Sequence, residues 1–127
     1  MINTIAAIAA GGAIGALMRH GVNIAAVKIM GHGFPYGTLT VNILGSFLMG
    51  AIIIAFAQIF QPTETMRVFI ITGLLGAFTT FSTFSLDVAT LFERGEYLTT
   101  AAYLSASVVL SIATLFAGMA IVKGFIS

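Results

Sequence analysis

Charge is nearly missing from this chain of 127 residues: five Lys or Arg and four Asp or Glu make up 7% of it, against 59% hydrophobic residues. A soluble domain carries about 25% charged residues. With a mean hydropathy of +1.11, the chain reads as an integral membrane protein whose main surroundings are a lipid bilayer, and a net charge of only +1 gives no reason to expect a nucleic-acid partner. Cysteine is absent, which removes disulfides, thiolate chemistry and cysteine-held metal, and a redox role with them. The two histidines, His20 and His32, are too few and too close to the first connection to suggest a metal site. No basic residue precedes the apolar run that opens the chain, so the n-region of a cleaved signal peptide is lacking and the first helix is expected to stay. No P-loop, Rossmann glycine pattern, nucleophile elbow or metalloprotease motif is found, and no enzyme is expected.

What is present is apolar sequence in long runs. At about 20 residues per spanning helix, residues 1–127 accommodate four spans with short connections, an all-α fold forming a single four-span domain. The first segment runs from Ile2 past Met18 and ends somewhere between Arg19 and the turn-rich GHGFPYG of residues 31–37. The second covers about Thr38 to Phe60 and stops at Gln61 and Pro62. The third covers about Met66 to Phe92, and the fourth about Tyr97 to Lys123. With four spans, Arg19, Lys28 and Arg94 fall on one side of the membrane, and Arg67 and Lys123 on the other. So small a bias permits insertion in both orientations, and two opposed copies could then pair. Gly11, Gly15, Ser46 and Gly50 recur at four-residue spacings that let helix backbones approach closely, either within the chain or between copies.

The third segment carries the most informative stretch, GLLGAFTTFSTFS at residues 73–85. Gly73 and Gly76, followed by Thr79, Thr80, Ser82, Thr83 and Ser85, give poor helix propensity and many hydroxyls able to satisfy freed backbone groups, which predicts a broken helix. At membrane depth such a break is tolerated only where protein or a cavity covers it, and there it exposes carbonyls and amides to a ligand. Phe81 and Phe84, three apart, share a face of a resumed helix and present ring edges of partial positive charge to an anion, or else they simply pack.

On the fourth segment Tyr103, Ser107 and Ser111 recur every four residues, and Thr114 returns almost to the azimuth of Tyr103. This hydroxyl stripe either lines a path or bonds back to its own helix. Asn42 adds one amide to the second segment, serving either a path or an interhelical bond. No acid or base lies midway along the first, second or fourth segment, so a proton-coupling carboxylate is lacking there. Asp87 is the deepest acid and falls on the same side as Arg19, which either pairs with it or snorkels to the surface.

Together, GLLGAFTTFSTFS, the asparagine of GTLTVNILGS and the early GGAIGALMR resemble the CrcB/Fluc family of fluoride ion channels, and the likeness in length, span count and motif order covers essentially the whole chain. The resemblance implies a dual-topology homodimer in a bacterial plasma (inner) membrane, whose antiparallel subunits enclose two pores that export fluoride passively and reduce its toxicity. By position, Phe81, Phe84 and Asn42 would line the pores, with Ser82 and Thr83 beside the rings and Tyr103, Ser107 and Ser111 as the polar track of the fourth helix. A structural sodium ion at the dimer interface would take backbone carbonyls of Gly76 and Thr79, and Arg19 matches the vestibule arginine. Ala77 departs from the pattern, where a further glycine is common.

Two rivals remain at this stage. A small multidrug transporter of four helices also pairs antiparallel, but it needs a membrane-embedded glutamate that the first segment lacks. A structural or assembly protein would use the same polar stripe as adhesive between helices.

Overall fold

The computed structural model describes residues 1–126, and four helical spans account for nearly all of them. Helix α1 covers Ile2–Met30 and α2 covers Tyr36–Gln58. The third span is built from α3, residues 64–78, and α4, Ser82–Glu93, separated by Thr79, Thr80 and Phe81. Helix α5, Tyr97–Ile126, closes the chain. The spans are long enough and apolar enough to cross a membrane, which makes this a multi-pass membrane protein.

Each end has a local cause. Helix α1 continues through Arg19, His20 and Lys28, because Ala25, Ala26 and Val27 sustain it until Gly31 turns out at φ 82° and donates to the Val27 carbonyl at 2.9 Å. Its 29 residues reach about 43 Å, well beyond a hydrocarbon core of about 30 Å. The Thr63 hydroxyl caps α3 by accepting from the Met66 amide at 3.2 Å, with Glu64 in the first turn. Beyond its opening turn, α3 widens into a π-helix over Val68–Leu75 and returns to α-helical winding for Gly76–Phe78 before it stops. Composition alone carries no signal for that π segment, and such widened turns gather at functional sites.

Two close helix pairs organise the bundle: α2 packs along α5, and α1 packs along the π segment of α3. Both rely on backbone approach at glycine. A Cβ on Gly15 would run into the Leu74 carbonyl and come within 3.1 Å of the Phe78 amide; one on Gly50 would run into the Leu115 carbonyl. The small-residue spacing thus serves contacts inside the chain at both positions. Backbone cannot yield as a side-chain tip does, so Gly15→Leu is expected to cost at least about 3 kcal/mol by overpacking. Unfolding by SDS titration in mixed micelles checks this, and a stability unchanged by the substitution would contradict the packing described.

Away from these seams, a compact apolar cluster forms from Phe84, Leu91 and Tyr103, joined by Phe34, Leu39 and Val88. It fixes α4 against α5 and draws the connection between α1 and α2 over the same end of the bundle.

Candidate functional site

The break between α3 and α4 is held open by one side chain. Asn42, on α2, donates from Nδ2 to the Thr80 carbonyl at 3.0 Å and accepts at Oδ1 from the Thr80 amide at 2.8 Å. The primary amide therefore stands in for a strand of backbone, satisfying both polar groups of a residue that belongs to neither helix. Thr80 Oγ1 in turn accepts from the Thr83 amide at 3.2 Å, capping α4. Of the expected site residues, Asn42 is thus glue by geometry and cavity wall by position. Thr80, which no periodicity singles out, is its partner.

The same bonds leave two carbonyls without helical partners. In a continuous helix Gly76 would accept from the Thr80 amide and Thr79 from the Thr83 amide, yet those amides are turned to Asn42 and to Thr80 Oγ1. Between them, Ala77 accepts from Arg19 Nε at 3.1 Å. Arg19 therefore caps the end of α3, where a cation also suits the helix dipole, and it does not reach Asp87. The carboxylate of Asp87 instead accepts from the Tyr103 hydroxyl at 2.9 Å. The sequence-based pairing of Arg19 with Asp87 is not formed: each has found a partner on a different element.

A cavity of about 310 Å³ opens beside the break. Asn42 and Ser46 from α2, Thr79, Thr80, Phe81 and Phe84 from the break and α4, and Ser107 and Ser111 from α5 line it. The Phe81 and Phe84 rings are neighbours, 5.5 Å apart and tilted by 58°, although Phe81 precedes the resumed helix. They differ sharply in burial, since Phe84 is 5% exposed and Phe81 76%. Tyr103, completely buried, packs 5.3 Å from the Phe84 ring and ends on Asp87. Unlike Ser107 and Ser111, it is not among the residues that line the cavity.

The hydroxyl stripe divides in three. Tyr103 donates to Asp87, and Thr114 donates to the Ile43 carbonyl at 3.1 Å and to the Ser111 carbonyl at 3.0 Å, so it joins α5 to α2. Ser107 Oγ and Ser111 Oγ, buried in the cavity wall, make no hydrogen bond among the described residues. Ser107 stands beside the Tyr103 hydroxyl without closing a bond to it. A serine ordinarily escapes this cost by bonding to its own helix, as Thr100 does with Glu96 at 2.7 Å. Two orphaned hydroxyls in one wall are therefore free to donate to something held in the cavity. Thr83 lies outside this cavity, toward the Asp87 end, and Ser82 is exposed within 3.5 Å of Thr80 Oγ1.

Residues 6–119 match the protein family described as CrcB-like protein, Camphor Resistance. The chain is 50% identical over 121 residues to a protein of Agrobacterium fabrum named fluoride-specific ion channel FluC, covering 95% of this chain and 96% of that one. A protein of the same name from Cereibacter sphaeroides is 46% identical over 127 residues, the full length of both. Another, from Rhizobium etli, is 46% identical over 119 residues, 94% of this chain and 95% of the relative.

Proposed function

Because this chain belongs to the CrcB-like protein family, we propose that it is a fluoride-selective channel, and no enzyme, that exports cytoplasmic fluoride passively across the bacterial inner membrane. The observation that carries this reading is the single cavity onto which the Asn42 amide, two unpartnered serine hydroxyls and the rings of Phe81 and Phe84 converge. Fluoride is small and strongly hydrated, so a pore must replace its water with donors that bind it weakly enough to let it go. Hydroxyls, an amide and polarised ring edges do this without a fixed positive charge that would trap the ion. Hydrogen fluoride enters a cell as the neutral acid and dissociates in the more alkaline cytoplasm. An inside-negative potential then drives the anion out with about 2.3 kcal/mol per 100 mV, so neither ATP nor a coupling ion is needed.

Assembly follows from what one protomer leaves open. Phe81 projects from the surface beside the cavity, so an antiparallel second copy would cover it and complete a wall, giving two pores per homodimer. Gly76 and Thr79 from each copy would together offer four carbonyl oxygens, a donor set suited to a hard cation such as sodium. When bound, the ion would pin the two breaks together as a structural element, and Arg19, held on the Ala77 carbonyl, would stand at the vestibule.

Liposomes loaded with fluoride or chloride test the reading, with valinomycin clearing the potassium potential. Rapid fluoride release with little chloride release is expected, together with a cross-linkable dimer whose fraction falls when N-methylglucamine replaces sodium. No fluoride release from a verified dimer would leave the assembly-protein reading in front.

A further inference from the structure

Ser46 is the one polar side chain in the wall of the central cavity that neither the fold nor the channel reading has used. It stands at the middle of α2, and between Asn42 and Gln58 it is the only residue of that helix with a polar side chain. Resting on the channel reading, we propose that Ser46 is a further fluoride-binding residue, whose hydroxyl donates to the anion inside the cavity alongside those of Ser107 and Ser111.

The sequence offers a plainer role for this residue, as one of the small residues at four-residue spacing that let helices approach. In the fold that work falls to its glycine neighbours. A Cβ on Gly45 would run into the Thr79 side chain and come within 3.3 Å of the Phe78 ring, and one on Gly50 would run into the Leu115 carbonyl. Ser46 instead lines the cavity with Asn42, one helical turn before it on the same face of α2. Its neighbours hold it in place. Gly45 brings α2 against the break, Thr114 donates to the Ile43 carbonyl at 3.1 Å, and Gly118 lets α5 lie against the Phe47 carbonyl.

The hydroxyl itself is left over. Ser46 is half-buried and makes no hydrogen bond among the described residues. A helical serine ordinarily takes the carbonyl four residues back, as Ser85 takes that of Phe81 at 3.0 Å. For Ser46 that acceptor is Asn42, and the bond is not made. A polar side chain at mid-membrane is costly to keep without a partner, and an anion at that depth is furthest from bulk water, so a donor there replaces hydration that the bilayer cannot supply. Ser46 lies about 6 Å beyond Asn42 along α2, as Ser111 does beyond Ser107 along α5. The two helices run in the same direction, since Ile43 meets Thr114 and Ala51 meets Gly118. Both pairs therefore extend the donors of the cavity toward the same end of the bundle.

The test measures fluoride efflux per assembled dimer from liposomes, with size-exclusion profiles matched, for the unsubstituted protein, Ser46→Ala and Ser46→Thr. Alanine keeps a small side chain in the helix and removes the donor. Efflux about fivefold slower is expected, the loss of one hydrogen bond in a cavity where water takes part of the donor's place. Threonine keeps the hydroxyl and adds a methyl to a cavity of about 310 Å³, and it is expected to restore most of the flux. Ser46→Ala releasing fluoride as fast as the unsubstituted protein overturns the proposal. So does a slow Ser46→Ala matched by an equally slow Ser46→Thr, because the loss then follows the change of side chain and not the hydroxyl. In either case the unsubstituted protein conducts and the channel reading stands. No fluoride release from the unsubstituted dimer overturns both.

Discussion

Asn42→Asp is expected to reduce fluoride efflux by more than a hundredfold while the protein still folds and assembles. The substitution is nearly isosteric and keeps an acceptor for the Thr80 amide, bonded now at 2.8 Å. It removes the donor that serves the Thr80 carbonyl at 3.0 Å and sets a carboxylate oxygen against that carbonyl instead. It also places a full negative charge in the wall of the cavity that the anion must occupy. At an effective dielectric constant of about 20 and a separation of about 5 Å, the repulsion is about 3 kcal/mol, or about two factors of ten in rate. Asn42→Ser separates the two losses, since it breaks the clamp on Thr80 without adding charge, and a flux between those of the two proteins is expected. Efflux per assembled dimer, with size-exclusion profiles matched, is the measurement. Aspartate at this position with flux within a few-fold of the unsubstituted channel would remove Asn42 from the path and leave it as glue alone.

That double role marks the limit of what the sequence discloses. The four spans were legible because uninterrupted apolar runs admit little else, and the break was legible because Gly73, Gly76 and five hydroxyl residues crowd into thirteen positions. Which acceptor each hydroxyl takes was not legible, since that depends on neighbours distant in the chain. Thr114 spends its donor on Ile43, 71 positions away, whereas Ser107 and Ser111 on the same stripe spend theirs on nothing among the described residues. Helical periodicity places all three on one face and cannot divide adhesive from path. Arg19 and Asp87 make the same point. Membrane side alone allowed them to pair, but the end of α3 supplied a free carbonyl to one and α5 supplied a phenol to the other. The π-helix over Val68–Leu75 had no compositional mark. It lies where α1 approaches the backbone of α3 closely at Gly11 and Gly15, a contact between segments distant in the chain.

Phe84→Ile discriminates the channel reading most directly from the adhesive one. Isoleucine preserves an apolar, bulky side chain at a site 5% exposed, so the core of Phe84, Leu91 and Tyr103 should lose only about 1–2 kcal/mol and assembly should persist. What isoleucine lacks is the ring. Phe84 contacts Phe81 at 5.5 Å and Tyr103 at 5.3 Å, both tilted so that edges as well as faces are presented within the group. Those edges carry the partial positive charge that a dehydrated anion can use in the cavity that Phe81 and Phe84 line with Asn42. One such interaction at about 1.5 kcal/mol amounts to about tenfold in rate if it acts at the barrier. The expected result is a folded, dimeric protein whose fluoride efflux has fallen by about that factor, with chloride efflux no higher than before. An assembly protein has no flux to lose, and a channel that used Phe84 only for packing would conduct within about threefold of the original once corrected for folded protein. If fluoride release is fast before the substitution and equally fast after it, the rings are packing residues. The path would then have to be drawn through the hydroxyls of the cavity wall alone.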